Sequence, residues 1–456
     1  MTASSAYRAA ATQTRFSDHY VVVLALLLGG YAVFGKSFAY LGVPPLYVGE
    51  LVFALGAIAF LSSRCGVASF ATLPNLLLTI LIVWAIVRTL PFVGEFGVDA
   101  LRDSVIVLYG GFAFIITALL LEKPERLQLA IKFFRIIALI LIPLAPILVL
   151  MTNVAAHSDT GPVWQIAQVK TGTLGVHLAA AALLAFLGFR SSSLLWVVLL
   201  LIGMAAVASQ NRGGMLAIMF MLSFAAIATG KLREFGAVLL IGISLLGLAY
   251  ALDLSVPTAR YDRDISAEQL IDNLQSVIGG GQAELSGTSV WRLRWWNTII
   301  DYTLNGPYFW SGKGFGVNLA IADGVTTGQE IQMNPPTRSP HNGHFTILAR
   351  TGVIGLGLWL LTLGSWSVVV LRSMVGARLR GDHAWADFFV LIFCYAIGLL
   401  IDAAFDVTLE GPMAGIWFWC LFGAGAGASM IYRAERARTG PAPRRLSPTP
   451  VTASAS

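Results

Sequence analysis

Leu76-Leu77-Leu78-Thr79-Ile80-Leu81-Ile82-Val83-Trp84-Ala85-Ile86-Val87 contains no charge, no glycine and no proline. It lies within an apolar run over residues 74–91. As a helix rising 1.5 Å per residue, such a run crosses the roughly 30 Å hydrocarbon core of a bilayer. Outward from it, eleven further runs centre near 20–34, 46–62, 104–121, 133–151, 172–189, 193–208, 213–229, 235–252, 344–371, 385–402 and 411–431. Barrel strands would give short alternating segments, whereas these runs are continuous. Composition agrees: of 456 residues, 57% are hydrophobic and only 12% charged, and mean hydropathy is +0.75. A soluble domain carries about 25% charged residues. Half of that leaves too little polar surface to face water. The expected fold class is all-α: a polytopic transmembrane helical bundle of about 12 spans, with one large helical loop on the outer side.

The basic residues set the direction independently, because cytoplasmic loops are enriched in Lys and Arg. With a cytoplasmic N-terminus, the inside segments hold 18 of the 30 Lys and Arg, including Arg8, Arg15, Arg64, Lys123, Arg126, Lys132, Arg135 and Arg190. The short outside loops and adjoining span ends hold five: Lys36, Arg88, Arg102, Lys170 and Arg212. A missed span would scramble this alternation. The resulting plan is a cytoplasmic N-terminal tail over 1–19, spans one to nine over 20–252, a large extracytoplasmic loop over 253–343, spans ten to twelve over 344–432, and a disordered cytoplasmic tail over 433–456. The first apolar run has no small-residue cleavage site after it, so it reads as a helix rather than a removed signal peptide. Cys65, Cys394 and Cys420 stand far apart in or beside apolar runs, with neither metal nor disulfide spacing.

Loops of some ninety residues without a role are uncommon, so 253–343 is where chemistry is expected. Asp253 to Gln275 reads as helical, followed by a Gly279-Gly280-Gly281 break. Trp291-Arg292-Leu293-Arg294-Trp295-Trp296 has the amphipathic, aromatic character of a segment at a membrane interface. At helical spacing Arg292 and Trp296 share a face, with Arg294 beside them. Arg338 and Lys313 add positive charge to the same loop. Arg212 stands in the tight outer turn Ser209-Gln210-Asn211-Arg212-Gly213-Gly214. Taken alone it reads as a snorkelling arginine at a helix end, and the tryptophan stretch alone as an interfacial anchor. Guanidinium groups converging at the headgroup plane suit a diphosphate, which they bind bidentately. His341, in Ser339-Pro340-His341-Asn342-Gly343-His344, is placed where the loop re-enters the membrane. An imidazole there can take a proton from an attacking hydroxyl, although a lone loop histidine is more often simply hydrogen-bonded. His344 and Asn342 are supporting candidates. Asp262-Arg263-Asp264 has the form of an Asp-x-Asp metal motif, but such triplets are common by chance. No metal site and no cofactor is expected.

Pro340-His341-Asn342-Gly343-His344-Phe345, followed by Leu348-Ala349-Arg350-Thr351-Gly352-Val353-Ile354-Gly355-Leu356, resembles the signature of the O-antigen ligase/O-antigen polymerase family. Ser209-Gln210-Asn211-Arg212-Gly213 is similar to that family's Ser-x-x-Arg-Gly turn. Arg292 through Trp296, then Asn305-Gly306-Pro307 and Gly312-Lys313-Gly314-Phe315-Gly316, is similar to its Arg…Trp…Pro…Gly-x-Gly stretch, and Glu410-Gly411-Pro412 also fits. The resemblance covers about residues 200–425. It implies a metal-independent glycosyltransferase of the bacterial inner membrane with its site on the extracytoplasmic side. The donor would be an undecaprenyl-diphosphate-linked glycan, and the acceptor lipid A-core or a growing polysaccharide. By the same resemblance Arg212 and Arg292 would hold the diphosphate, with Arg338 beside them, and His341 would orient or deprotonate the acceptor. Trp296, Arg294, Asn342 and His344 would support the site. Arg350 departs from the pattern, since members often carry an acidic residue there. The partners so implied are lipids and glycans, with no nucleic acid. A polysaccharide polymerase of the same family is the alternative, and a twelve-span transporter or lipid flippase a more distant one. No internal repeat of the transporter kind is visible.

Overall fold

A computed structural model of the chain describes residues 3–155, 168–191, 193–257, 264–278, 287–325 and 337–439. These fold into an all-α bundle. In chain order the helices are α1 (Ala3–Phe34), α2 (Lys36–Ala39), α3 (Val48–Ser62), α4 (Leu73–Phe96), α5 (Val98–Leu108), α6 (Gly111–Glu122), α7 (Arg126–Ala155), α8 (Thr171–Phe186), α9 (Leu194–Gln210), α10 (Arg212–Thr229) and α11 (Leu232–Ala251). There follow α12 (Ala267–Ile278), α13 (Gly287–Leu304), α14 (Leu319–Ala322), α15 (Gly343–Arg378), α16 (His383–Ala403) and α17 (Pro412–Thr439). Among the described residues, strand is confined to two short antiparallel pairs, Gly42–Val43 with Leu46–Tyr47 and Ser255–Val256 with Ile265–Ser266.

Each of the twelve apolar runs falls on a helix. Among the described residues eight helices are long and apolar enough to cross a membrane, and α5 with α6, bent by 41° at Tyr109-Gly110, count as a ninth only if the pair is one broken span rather than a re-entrant loop. The other three runs are the shorter apolar helices α3, α8 and α9. Among them α8 is buried along nearly its whole length, sheltered by α10, α16, α9 and α7. At the other extreme α11 buries none of its residues. An apolar helix with that exposure is stable only with lipid around it.

Two expectations are corrected. The segment 253–275 is not one helix: Asp253 takes a left-handed φ of 49°, a strand pair follows, and helix begins only at Ala267. Residues 258–263, with Asp262 and Arg263, lie outside the described residues, as does the 279–281 glycine run. The tail expected to be disordered from 433 continues α17 to Thr439, and 440–456 lie outside the described residues.

The segment between α13 and α15 is tied to the bundle through a break in α15. Gly352 has φ 68° and ψ −167°, a conformation that costs a residue with a Cβ heavily. The break frees carbonyls that an intact helix would satisfy, and at membrane depth each must find a donor. Lys313 N–H donates to the Ala349 carbonyl at 2.7 Å and Gly314 N–H to that of Arg350 at 3.0 Å. Trp84 Nε1–H donates to the Thr351 carbonyl at 3.1 Å. The loop thus completes the backbone bonding of the broken span.

Arg350, at the same break, is 1% exposed. Its Nη2 lies 3.0 Å from Asp103 Oδ2, and its Nη1 donates to the Val317 carbonyl at 3.0 Å. The cation that departs from the family pattern is therefore compensated by a carboxylate on α5. Asp103 is shared with Arg338, whose Nη2 is 3.1 Å away, while Arg338 Nη1 pairs with Asp99 at 3.0 Å. Removing one member of a buried pair leaves an uncompensated charge, at a cost of about 3–5 kcal/mol. Exposed pairs contribute about 0–1 kcal/mol. Asp103→Asn is expected to lower the thermal melting point by many degrees, and Asp99→Asn, at the solvent edge, to leave it nearly unchanged. Equal shifts for the two variants would show that Asp103 is not the keystone of this cluster.

Candidate functional site

One end of the bundle gathers the start of α8, the α9–α10 turn, the start of α15 and the loop between α16 and α17. The reason begins with small residues and caps. Asn211 interrupts α9 and α10 by a single residue and caps α10, its Oδ1 accepting from Gly214 N–H at 2.7 Å. Arg212 is therefore the first residue of α10. Gly172, in the first turn of α8, lies against the Asp402 carboxylate, where any Cβ would collide. Asp402 is buried at the end of α16. Its Oδ2 accepts from Thr173 at 3.0 Å and from Thr408 at 2.9 Å, drawing α8, α16 and the turn before α17 together.

His341 protrudes from this frame. Asn342 caps α15, its Oδ1 accepting from His344 N–H at 3.0 Å and Phe345 N–H at 3.2 Å. The preceding residue, His341, is held with φ 53°. Left-handed backbone at a residue with a Cβ persists only where the surroundings impose it, and it clusters at functional sites. Trp296 supports the turn: its Nε1–H donates to the Pro340 carbonyl at 2.9 Å and its ring stacks on Phe345. Trp291 stands edge-on to the His341 ring at 6.1 Å between centroids.

Asp406 links the imidazole to a cation. Its Oδ1 lies 3.4 Å from His341 Nδ1 and its Oδ2 3.2 Å from Lys170 Nζ, and it also accepts from Val407 N–H at 2.7 Å. Burial by itself would raise the Asp406 pKa. The Lys170 charge, the His341 hydrogen bond and the Val407 amide outweigh it and hold the carboxyl far below the usual range. An ionised carboxylate only accepts, so Asp406 faces the Nδ1 side of the His341 ring as an acceptor.

Of the arginines, two reach this frame and two do not. Arg292 Nη1–H donates to the Phe405 carbonyl at 3.0 Å, next to Asp406. Arg212 Nε–H donates to Asn273 Oδ1 at 3.2 Å. Its neighbour Gly213 packs so closely on Phe405 that a Cβ would stand 2.9 Å from Phe405 Cβ. Arg212, Arg292 and His341 are thereby joined through Phe405 and Asp406. Arg338 is instead engaged by Asp99 and Asp103, and Arg294 is exposed on the opposite face of α13. Lys313 pairs with Asp323 at 2.5 Å and lies over the Tyr302 ring, inside the loop's own small core around Trp295 and Leu319. His344 is half-buried, its Nδ1 accepting from Trp359 Nε1–H at 3.1 Å. It belongs to the bundle interior. Among the described residues no group of three His, Cys, Asp or Glu could hold a metal ion.

Sequence reasoning missed Lys170, Asn273 and Asp406 as members of this network. Asn273 Nδ2–H also donates to the Ala208 and Ser209 carbonyls, at 2.9 and 2.7 Å, so it fixes both the end of α9 and the head of Arg212. The one available signal was position: Asp402 and Asp406 stand just ahead of the noted Glu410-Gly411-Pro412. Glu410 itself accepts from Thr346 in the first turn of α15 at 2.7 Å.

A helical membrane protein whose loops bring cations and a carboxylate-bound imidazole to one end of the bundle is the class that fold and site define. Residues 197–360, a little over a third of the chain, match the family model described as O-antigen ligase. The coarse class that goes with it is a ligase- or polymerase-type membrane glycosyltransferase. The matched stretch takes in Arg212, Arg292, Arg338 and His341, and leaves out Lys170 and Asp406. No curated protein matches the chain at a significant level.

The depressed Asp406 pKa has a defined sign in stability. A carboxyl lowered in the folded state stabilises above its unfolded value, about 3.9. That contribution fades as pH falls below this value toward the folded pKa. Lys170→Met removes the largest cause of the lowering, so Asp406 is expected to protonate at higher pH. Thermal melting followed from about pH 6 to pH 3 should start lower in the variant and fall less steeply with acidification, because the gap between the folded and unfolded pKa of Asp406 has narrowed. Superimposable profiles would mean that Lys170 does not hold the carboxylate ionised.

Proposed function

We propose that the cluster of Arg212, Arg292 and His341 binds the diphosphate of an undecaprenyl-diphosphate-linked glycan and that the protein passes the glycan to an acceptor hydroxyl on the outer face of the bacterial inner membrane. The observation that carries the proposal is the continuous set of contacts from Arg212 through Gly213 and Phe405 to Arg292, and through Asp406 to His341. A base and two guanidinium groups within one frame match a displacement that needs a proton acceptor at one end and charge stabilisation at the other.

The acceptor oxygen attacks the anomeric carbon, the bond from that carbon to the diphosphate oxygen breaks, and the electron pair leaves with the diphosphate. The acceptor proton goes to His341 Nε2, and Asp406 balances the imidazolium that forms. Arg212 and Arg292 meet the charge gathering on the leaving group, helped by the N-terminal dipole of α10. These fixed cations take the part a metal plays elsewhere, so the transfer is proposed as metal-independent. Arg338, already neutralised by two carboxylates, is assigned to anchoring the loop rather than to the diphosphate. Trp296 and Asn342 hold the His341 turn. The lipid donor would enter sideways from the bilayer at the level of α13.

The ligase form of this reading takes lipid A-core as acceptor, and the polymerase form a growing polysaccharide. In a transfer assay with purified donor and both acceptors, His341→Ala is expected to lower the rate by about 10²–10⁴-fold while melting as the parent does. Arg292→Lys keeps the charge and loses the planar fork, and should weaken donor binding more than it lowers the rate at saturation. Normal transfer by the His341→Ala protein would overturn the base assignment. The acceptor consumed decides between ligase and polymerase.

A further inference from the structure

Three tryptophans stand on α13, and the fold does not use them alike. Trp295 is fully buried, and its Nε1–H donates to Asp323 Oδ2 at 2.6 Å. Trp296 Nε1–H donates to the Pro340 carbonyl, and its ring is covered by Phe345. Both indoles are taken up in holding the structure. Trp291 is only half-buried. Its ring meets Trp295 edge-on at 5.1 Å between centroids, which holds it from behind. Among the described residues its Nε1–H has no hydrogen-bond partner, yet the nitrogen is not sealed in the interior. An indole with a covered back and an unused N–H at an open edge has one apolar plane and one donor to offer a molecule from outside.

Its neighbour narrows the class of that molecule. The planes of Trp291 and His341 are inclined at 61°, with 6.1 Å between their centroids, so the two rings form a corner. One wall is apolar and the other is an imidazole, itself half-buried and so reachable. Behind the imidazole, Asp406 and Lys170 supply a carboxylate and an ammonium. A pyranose has the matching character, with C–H groups on a face of the ring and hydroxyls around its rim. Binding sites for such molecules set aromatic walls beside a few fixed polar groups. The corner is also separate from the arginine next to it in the chain. Successive helix residues point in different directions, so Arg292 turns to the Phe405 carbonyl while Trp291 shares its side of α13 with Trp295.

We infer that Trp291 is the platform for the terminal sugar of the acceptor, whose ring lies against the indole while its attacking hydroxyl points at His341. The inference rests on the reading of His341 as the base, because the sugar beside the base is the one whose hydroxyl gives up its proton. Trp291 touches no reacting atom in this role. It selects and orients the acceptor, and its contribution is to binding rather than to the rate at saturation.

Initial rates with purified donor test the assignment, with lipid A-core as acceptor, or polysaccharide if the parent consumes that instead. Trp291→Leu keeps apolar bulk and loses the aromatic plane, whereas Trp291→Phe keeps the plane and loses the N–H. The acceptor KM is expected to rise by about tenfold in Trp291→Leu and about threefold in Trp291→Phe. The donor KM and kcat at saturating acceptor should stay within about twofold of the parent. An unchanged acceptor KM in Trp291→Leu overturns the inference. A rise in the donor KM instead does so too, since it would seat the donor's sugar on the indole. So does a fall in kcat with both KM values unchanged, which would make Trp291 a prop for the His341 turn. Should Trp291→Leu not fold, oxidative footprinting of the parent carries the test. Soluble core oligosaccharide, or free polysaccharide for the second acceptor, should protect Trp291 and leave the exposed Trp310 as reactive as before; equal reactivity of Trp291 with and without the saccharide overturns the platform. The same protection is expected in His341→Ala. Normal transfer by that variant would overturn the base, whereas failed protection of Trp291 alongside lost transfer in His341→Ala would overturn the platform alone.

Discussion

A carbonyl released inside a membrane-spanning helix has no water to turn to, and that constraint organises the half of this protein around α13 and α15. Gly352 breaks α15 about two and a half turns below its cap, and the amides of Lys313 and Gly314 take up the freed carbonyls of Ala349 and Arg350. The backbone of the loop is thus part of the span. It follows that the register of 313–315 against 349–351 is fixed to within a residue, since a slip would orphan several polar groups at several kcal/mol each. The buried Arg350 strengthens the same joint from the side-chain direction by binding Val317 and Asp103. Everything attached to that joint inherits its rigidity, including the turn that presents His341.

Charge compensation then sorts the outer cations. Positive residues in one loop look alike in sequence, yet Lys313, Arg338 and Arg350 each meet a carboxylate and serve to hold the loop on the bundle. Arg212 meets the neutral amide of Asn273, and Arg292 is steered by the carbonyl of Phe405. A guanidinium oriented by a neutral acceptor, as Arg212 is, keeps its charge to offer an anion, whereas one paired with two carboxylates has little left to give. Lys170 is intermediate, because its partner Asp406 is shared with an imidazole.

The spans were legible because lipid imposes a coarse rule: a run of the right length and apolarity has to be helical. All twelve runs fall on helices. The bend between α5 and α6 and the break at Gly352 were not legible, because each depends on partners far away in the chain. The site was legible in part for a related reason. Arg212, Arg292 and His341 lie in recognisable local motifs, while Asn273 and Asp406 act only through contacts across the fold. Arg338 sat in an equally suggestive stretch, and its ion pairs with Asp99 and Asp103 on α5 could not be read from sequence spacing. The helix expected over 253–275 failed where a left-handed Asp253 and a strand pair intervene.

The two ends of α16 place opposite demands on the bundle. At its last turn Asp402 is buried against Gly172 and bound by Thr173 and Thr408, so α8, α16 and the turn before α17 are locked around a carboxylate. At its first turns the packing against α7 opens into two cavities that share Phe388. A carboxylate buried without solvent demands fixed partners, so the end at Asp402 admits little variation in helix spacing. Apolar side chains around a gap impose no such geometry, and the far end is packed less tightly. Because α16 and α17 are each continuous between the ends, the spacing set at Asp402 is carried along both helices toward the cavities.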